Sequence, residues 1–336
     1  MSGRTVYVTR AGATLRREGE RLRVVSKDSP ASDVSVHDLA QLVLMGNITV
    51  TPAALDLLVE RGVDTVWLSG TGRYRGRIIG GPSRQVALRL AQFRALEDDV
   101  TRKRLARSFV RGKVRNQRTL LLQHARRHGE SPAMEAARAS MRLALTRLDD
   151  MEDLDAIRGL EGRCAVAYFA AFGDLLRTDE LRFDGRNRRP PLDPVNALLS
   201  LGYTLVTSQV EAALGRVGLD PYLGALHAPL NGRPSLACDL VEELRAPLVD
   251  AFVVASINRR AFRPEDFEEA AAGEPVYLRR ESLRWFLTLF ERRMAKPVWY
   301  EPLGCRLAPR DLIEAQARAF ARDVLGGEAY EPFRSR

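Results

Sequence analysis

The sequence has little of what marks a secreted, redox or membrane protein. Its three cysteines, Cys164, Cys238 and Cys305, make no CxxC pair and no even framework. That argues against a disulfide scaffold and fits a reducing cytoplasm. The longest apolar stretch, around residues 251–257, falls far short of the roughly 20 residues that span a bilayer. The opening MSGRTVYVTR enters an alternating pattern with no apolar signal-peptide core. No internal repeat or low-complexity tract stands out.

What is present is an ordinary globular composition. The chain has 336 residues, 45% hydrophobic and 28% charged, which suggests about two domains. The net charge is +9, and residues 101–128 (TRKRLARSFVRGKVRNQRTLLLQHARRH) hold ten Lys or Arg and no acid. One segment therefore carries more than the whole excess, and a polyanion is the expected partner, nucleic acid ahead of membrane.

Residues 4–80 read as β-rich, with short, β-branched, partly alternating runs such as TVYV, RLRVVS, DTVWLS and RYRGRII. One helix interrupts them, with Thr51 as cap, Pro52 in its first turn, Gly62 at its end, and Leu55, Leu58 and Val59 expected to face the strands. Gly80, Gly81 and Pro82 punctuate the chain, so a boundary is expected there, giving domains 1–82 and 83–336. Beyond it the period becomes helical. Val86, Leu90 and Phe93 form one stripe, and Leu105 with Phe109, and Ala106 with Val110 and Val114, turn inward. Arg104, Arg107, Arg111, Arg115 and Arg118 are then left largely outward. Further helices are expected over 134–148, 155–175, 193–214, 278–294 and 310–325. The fold class is α+β, a small N-terminal β-rich domain followed by a larger all-α catalytic domain.

Between residues 155 and 250 lie the chemically suggestive side chains. Glu161 shares a helical stripe with Ala165, Tyr168 and Phe172, so its carboxylate points inward and needs a cation. Spacing alone leaves open whether that cation is a metal or a buried Arg. His227 lies in a turn-prone segment, where a lone histidine is more often a satisfied core or loop residue. Asp239 and Glu242 are three apart on one helical face behind a Ser235 cap, with Arg245 three residues on to orient Glu242 or hold a phosphate. In isolation that pair reads as a solvated acidic face. Arg186, Arg188 and Arg189 form a basic loop that is either a solvated charge run or a grip on DNA phosphates, and Asn196 and Tyr203 follow it on one helix face. Two carboxylates and an imidazole make a hard, oxygen-rich set that favours Mg²⁺ or Mn²⁺, whereas zinc would usually show Cys or more His.

The order EGRCAVAYF, FDGRNRRPPLDPVNALLSLGY and HAPLNGRPSLACDLVEELRAPLVD resembles the CRISPR adaptation integrase, the CRISPR-associated endonuclease often called Cas one. The resemblance is dense over residues 157–250. It implies that Glu161, His227 and Glu242 bind a divalent metal, Mg²⁺ or Mn²⁺, and are catalytic, with Asp239, Asn196, Tyr203 and Arg245 beside them. Some relatives carry Asp at the third ligand where this chain has Glu242. DNA contacts are expected from Arg104, Arg107, Arg111, Lys113, Arg115 and Arg118, and from Arg186, Arg188 and Arg189. The implied activity is insertion of new spacers into a CRISPR array by 3′-hydroxyl attack at repeat ends. The implied partners are double-stranded DNA (prespacer and repeat), a second copy in a homodimer, and a small ferredoxin-like protein (Cas two) in a heterohexamer, in the cytoplasm and without membrane. A separate end-processing nuclease assists in some systems. The rival classes are a structure-selective repair nuclease that uses water, and a non-catalytic DNA-binding scaffold.

Overall fold

A computed structural model describes residues 3–27, 29–80, 85–187, 190–271 and 273–336. The chain divides into two compact units, Met1–Arg84 with Leu283–Glu291, and Gln85–Ser282 with Arg292–Arg336. The expected boundary residue Pro82 lies outside the described residues.

The first unit is built from β1 (Arg4–Val8), β2 (Thr14–Glu18), β3 (Arg21–Ser26), β4 (Ser29–Ser35), β5 (Leu39–Met45), β6 (Thr49–Val50), β7 (Asp64–Leu68) and β8 (Tyr74–Ile78). One sheet has the order β1-β5-β7-β8, parallel except for β8, and the other β4-β3-β2-β6, antiparallel except for β6. β5, LAQLVLM, is almost continuously buried, as a strand between parallel neighbours must be. Helix α1 (Pro52–Glu60) is capped by Thr51, whose side chain accepts from the Ala54 N–H, and Gly62 takes φ +63° just past its end. Its buried residues are Ala54, Leu57 and Leu58; Val59, expected to face the strands, is exposed. Leu283–Glu291, read from sequence with the helical domain, groups here through Tyr7 Oη donating to Glu291 Oε1 at 2.8 Å and Arg284 Nε donating to Thr9 Oγ1 at 3.2 Å.

The second unit is mostly helical. Its helices are α2 (Val86–Glu97), α3 (Asp99–His128), α4 (Pro132–Arg147), α5 (Leu154–Phe172), α6 (Pro194–Val217), α7 (Ser235–Leu244), α8 (Ala251–Asn258), the end of α9 (Arg280–Ala295) and α10 (Pro309–Val324). A short hairpin of β9 (Val298–Tyr300) and β10 (Cys305–Leu307) is the exception to the all-helical expectation. The long helix α3 is the hub, touching α2, α4, α5 and α7. Its N-terminus is capped by Asp98, which accepts from the Thr101 N–H at 2.9 Å, and Leu105, Ala106, Phe109, Val110 and Val114 turn inward. Helix α2 departs from its expected stripe. Val86, Leu90 and Phe93 are about half exposed, and the helix is anchored instead by Leu88 and by Gln92, whose amide bonds the backbone of Asp220 and Leu223. No helix among the described residues is long and apolar enough to cross a membrane.

After α7 the backbone widens into one π-helical turn, Arg245–Asp250. Pro247 supplies the reason, since it lacks an N–H and its ring clashes with the carbonyl one turn back, so the regular ladder cannot continue. The turn carries Asp250 inward between Tyr168 and Tyr203.

Candidate metal centre

Two helices deliver one carboxylate each to the same cation. α5, capped by Asp153, presents Glu161, and α7 presents Glu242; both helices pack on α3, which presents Lys113 between them. The Lys113 ammonium donates to Glu161 Oε1 and lies 2.7 Å from Glu242 Oε2. Gly112 permits the close approach of α3 to α7. A Cβ there would stand 2.6 Å from Pro332 Cβ and 2.9 Å from Glu243 Cβ. The second oxygen of Glu242 meets Arg245 Nη1 at 2.9 Å. Burial pushes the Glu242 carboxyl up, but Arg245 and Lys113, helped by His227, more than reverse this and hold it down at about 2.

Asp239 is wholly buried and acts on a loop. Its Oδ2 accepts from the N–H groups of Ala225 (2.6 Å) and Leu226 (3.0 Å), while its Oδ1 accepts from the His227 N–H at 2.9 Å and faces His227 Nδ1 at 2.6 Å. A carboxylate at Nδ1 fixes the tautomer with the proton there and leaves Nε2 as a lone-pair donor. Gly224 is required for this wrap, because a Cβ would come within 2.7 Å of Asp239 Oδ2. From the other side Arg158 Nε donates to Leu226 O at 2.7 Å. The solvated acidic face that spacing suggested for α7 is therefore absent, since Asp239 and Glu242 are both buried. Ser235 stands inside the helix rather than at its cap, which is Pro234, and donates to Ala228 O at 3.1 Å.

Arg186, Asn196 and Tyr203 adjoin the centre through Arg245. Both guanidinium groups lie over the Tyr203 ring, Arg186 at 5.2 Å and Arg245 at 5.0 Å from its centroid. The Tyr203 hydroxyl donates to Asp250 Oδ1 at 2.5 Å and that of Tyr168 to Oδ2 at 2.8 Å, and burial raises all three of these groups' pKa values. Asn196 is buried and pins the loop before it, accepting from Arg186 Nη1 at 2.5 Å and donating to Gly185 O at 2.8 Å. Arg188 and Arg189 lie outside the described residues.

The basic helix corrects an expectation. It is the hub of the unit, not an outward stripe, and its cations up to Arg118 are half-buried or buried, while Arg126 and Arg127 are exposed. Arg104 makes a two-pronged pair with Asp323 at 2.5 and 2.7 Å, Arg107 donates to Met151 O, Arg111 pairs with Asp149, and Lys113 is held by Glu161 and Glu242. Arg115 and Arg118 make no ion pair with a described residue, and burial lowers the pKa of Arg115. The physical reason is that helices pack on α3 from several sides, so most of the acids that answer its charge come from elsewhere in the chain, Asp99 beside Lys103 being the exception.

The donor set fits a hard divalent cation in kind. Two carboxylates converge on one cation, an imidazole nearby is held with Nε2 free, and Glu242 Oε2 is buried yet receives no well-aligned N–H from Lys113. As the side chains lie, however, no three His, Cys, Asp or Glu among the described residues stand close enough to hold a metal. Thiol chemistry is disfavoured, since burial, then Glu161, pushes Cys164 up to about 11, and burial raises Cys238.

Comparison with known proteins decides the family. Residues 6–292 match the family described as CRISPR associated protein Cas1. The chain belongs to the Cas1 family. It is 40% identical over 328 residues to "CRISPR-associated endonuclease Cas1 3" of Thermus thermophilus, covering 97% of this chain and 94% of that one. It is 39% identical to "CRISPR-associated endonuclease Cas1 2" of Rhodospirillum rubrum, covering 98% and 97%. In fold it is similar to a casposase bound to integration product, with TM-score 0.85 at 23% identity over 98% of this chain and 92% of the other. A Cas1 protein from Thermotoga maritima gives TM-score 0.84 at 20% identity, covering 98% and 99%.

Lys113, Tyr168, Asp250 and Glu243 are residues of this centre and its surroundings that sequence reading passed over or misplaced. For Lys113 a signal existed. It stands four residues after Phe109 on the inward stripe of α3, where a cation needs buried acids.

Proposed function

We propose that this chain is the divalent-metal-dependent integrase and endonuclease of CRISPR adaptation. What carries the reading, within a family of named endonucleases, is the convergence of Glu161 and Glu242 on one cation beside a histidine whose tautomer Asp239 sets. Glu161, Glu242 and His227 Nε2 hold Mg²⁺ or Mn²⁺. The ion, when bound, polarises the scissile phosphate and stabilises charge on the leaving oxygen. The protein's own contribution is placement. Arg245 fixes the rotamer of Glu242, and Asp239 fixes the ring of His227. Arg186 and Arg245 set a positive edge over Tyr203 for the phosphate backbone. The 3′-oxygen of an incoming DNA end forms the new P–O bond as the bond to the repeat's 3′-oxygen breaks, once on each strand.

The protein works in the cytoplasm as a homodimer joined through its β-rich unit, two dimers flanking a dimer of Cas2. A relative at 35% identity is a fusion of exonuclease Cas4 with endonuclease Cas1 in Geobacter sulfurreducens, of which this chain spans 61%. That supports a role for an end-processing exonuclease alongside this chain. The test uses the protein, Cas2, a repeat-bearing plasmid and a short duplex with free or dideoxy 3′ ends. Joined product is expected with free ends and Mn²⁺, and is expected to vanish with dideoxy ends, chelator or Glu242→Ala. Nicking at equal rates with both ends, never joining, makes the protein a water-using nuclease.

A further inference from the structure

Lys113 is the least expected feature of the centre. Its side chain is 8% exposed, and the carboxylates it joins are 24% and 4% exposed. These acids approach from two helices that are far apart in sequence, so the ammonium does not sit by chance on a neighbouring turn. Arg245 also contacts Glu242, yet differs in kind. Its guanidinium is held by Glu242 on one side and stacked on Tyr203 on the other. Among the described residues the Lys113 ammonium has no aromatic or backbone partner; its two ion-pair partners are the acids that the proposed function assigns to the metal.

Resting on that reading, we propose that Lys113 is a built-in counter-cation: its ammonium holds the divalent-ion place in the metal-free protein and is displaced when the ion binds. The charges require a device of this sort. Two carboxylates this close and this dry repel each other without a cation between them. With Lys113 and Arg245 present, the carboxylates of Glu161 and Glu242 face two positive charges. A divalent ion brings two further charges to the same acids, and an ammonium in contact with both cannot stay beside it. Gly112 seats the α3 backbone close against Glu243 and Pro332, and the flexible four-carbon stem is the part that swings. The arrangement also selects the ion. A monovalent cation offers the acids no more charge than the ammonium already there, so only a divalent ion gains by replacing it.

The test measures Mn²⁺ affinity without DNA, by calorimetry and by loss of the free-ion magnetic resonance signal. Lys113→Met removes the competitor and keeps the stem's bulk, and it should bind Mn²⁺ at least tenfold more tightly than wild type. Lys113→Arg keeps a cation and should bind no more tightly than wild type. Glu242→Gln should lose the site in either background. A folded Lys113→Met protein with unchanged or weaker Mn²⁺ affinity overturns the proposal, as does Lys113→Arg matching Lys113→Met. Should Lys113→Met be unfolded without metal, recovery of its helical circular dichroism on adding Mn²⁺ supports the proposal, and no recovery at millimolar Mn²⁺ overturns it. Wild type and Lys113→Met both binding no Mn²⁺ would sink the metal reading itself, an outcome distinct from equal binding by the two.

Discussion

Glu242 and Glu243 are chain neighbours on α7, both buried, and the helix turns them to opposite fates. Glu242 faces α3 and α5, where Lys113 and Arg245 hold its carboxyl at about 2. Glu243 faces α10 and the C-terminal segment, where burial pushes it up to about 7 and only neutral donors pull back: Gln316 Nε2 at 2.6 Å, Tyr330 and the Phe333 backbone. Burial is common to both, so it is the cations that decide. One acid is kept ionised and able to ligate a metal. The other holds its proton more tightly than an ordinary carboxyl, in a network that includes Gln316, Tyr300 Oη at 2.7 Å and Tyr330 Oη at 3.1 Å.

The comparison breaks most sharply in activity. Removing a metal ligand should cost on the order of 10³-fold or more in strand transfer, in the range of lost transition-state charge stabilisation. Glu242→Ala is therefore expected to abolish joining while duplex binding by fluorescence anisotropy is kept. Glu243→Gln should stay within a few-fold of wild type. Equal loss from both would mean that the network around Glu243, and not charge at Glu242, sets the chemistry.

Asp239 sharpens the same comparison through a residue that touches no substrate. Asn in its place keeps the size, but turns an NH₂ toward either the N–H groups of Ala225 and Leu226 or the His227 ring. Loss of a partner that orients a metal-binding histidine typically costs ~10- to 100-fold. Asp239→Asn should lower Mn²⁺ affinity and strand transfer together by that order. A drop in melting temperature with Mn²⁺ affinity unchanged would leave Asp239 a loop anchor only.

How much of this was legible beforehand depends on whether a signal is local. The short β-branched runs of the strands, the Thr51–Pro52 start of α1 and the inward stripe of α3 are local, and they stand as read. The ligand order came from resemblance; spacing alone left Glu161 between a metal and a buried Arg, and the structure pairs it with Lys113. Partners far along the chain were invisible. The count of ten cations without an acid in residues 101–128 was correct, yet Asp323, Asp149, Glu161 and Glu242 answer three of the basic helix's positions, Arg104, Arg111 and Lys113, from other segments. The Val86, Leu90 and Phe93 stripe misled for a similar reason, because Gln92 anchors α2 through the backbone of Asp220 and Leu223.

The smallest expected effect concerns stability, and its sign separates the two acids. A carboxyl whose folded pKa is raised binds its proton more tightly when folded, so stability is greatest below the unfolded value and falls as pH rises through the folded one. For Glu243 that window runs from the ordinary carboxyl value of 4.5 to about 7. Glu242 has the opposite sign. Its contribution is full above 4.5 and is lost as pH falls toward about 2, so it stays flat across the neutral range. Urea melts at pH 5 and pH 8 should therefore show wild type losing stability, and Glu243→Gln losing less. The gap approaches, as an upper bound, about 3 kcal/mol from roughly 1.4 kcal/mol per pKa unit. The amide can still accept from Gln316 Nε2, so the variant should fold as well as wild type near pH 5. If both proteins lose the same stability between the two pH values, Glu243 is not the group that titrates, and the contrast between the neighbours rests on Glu242 alone.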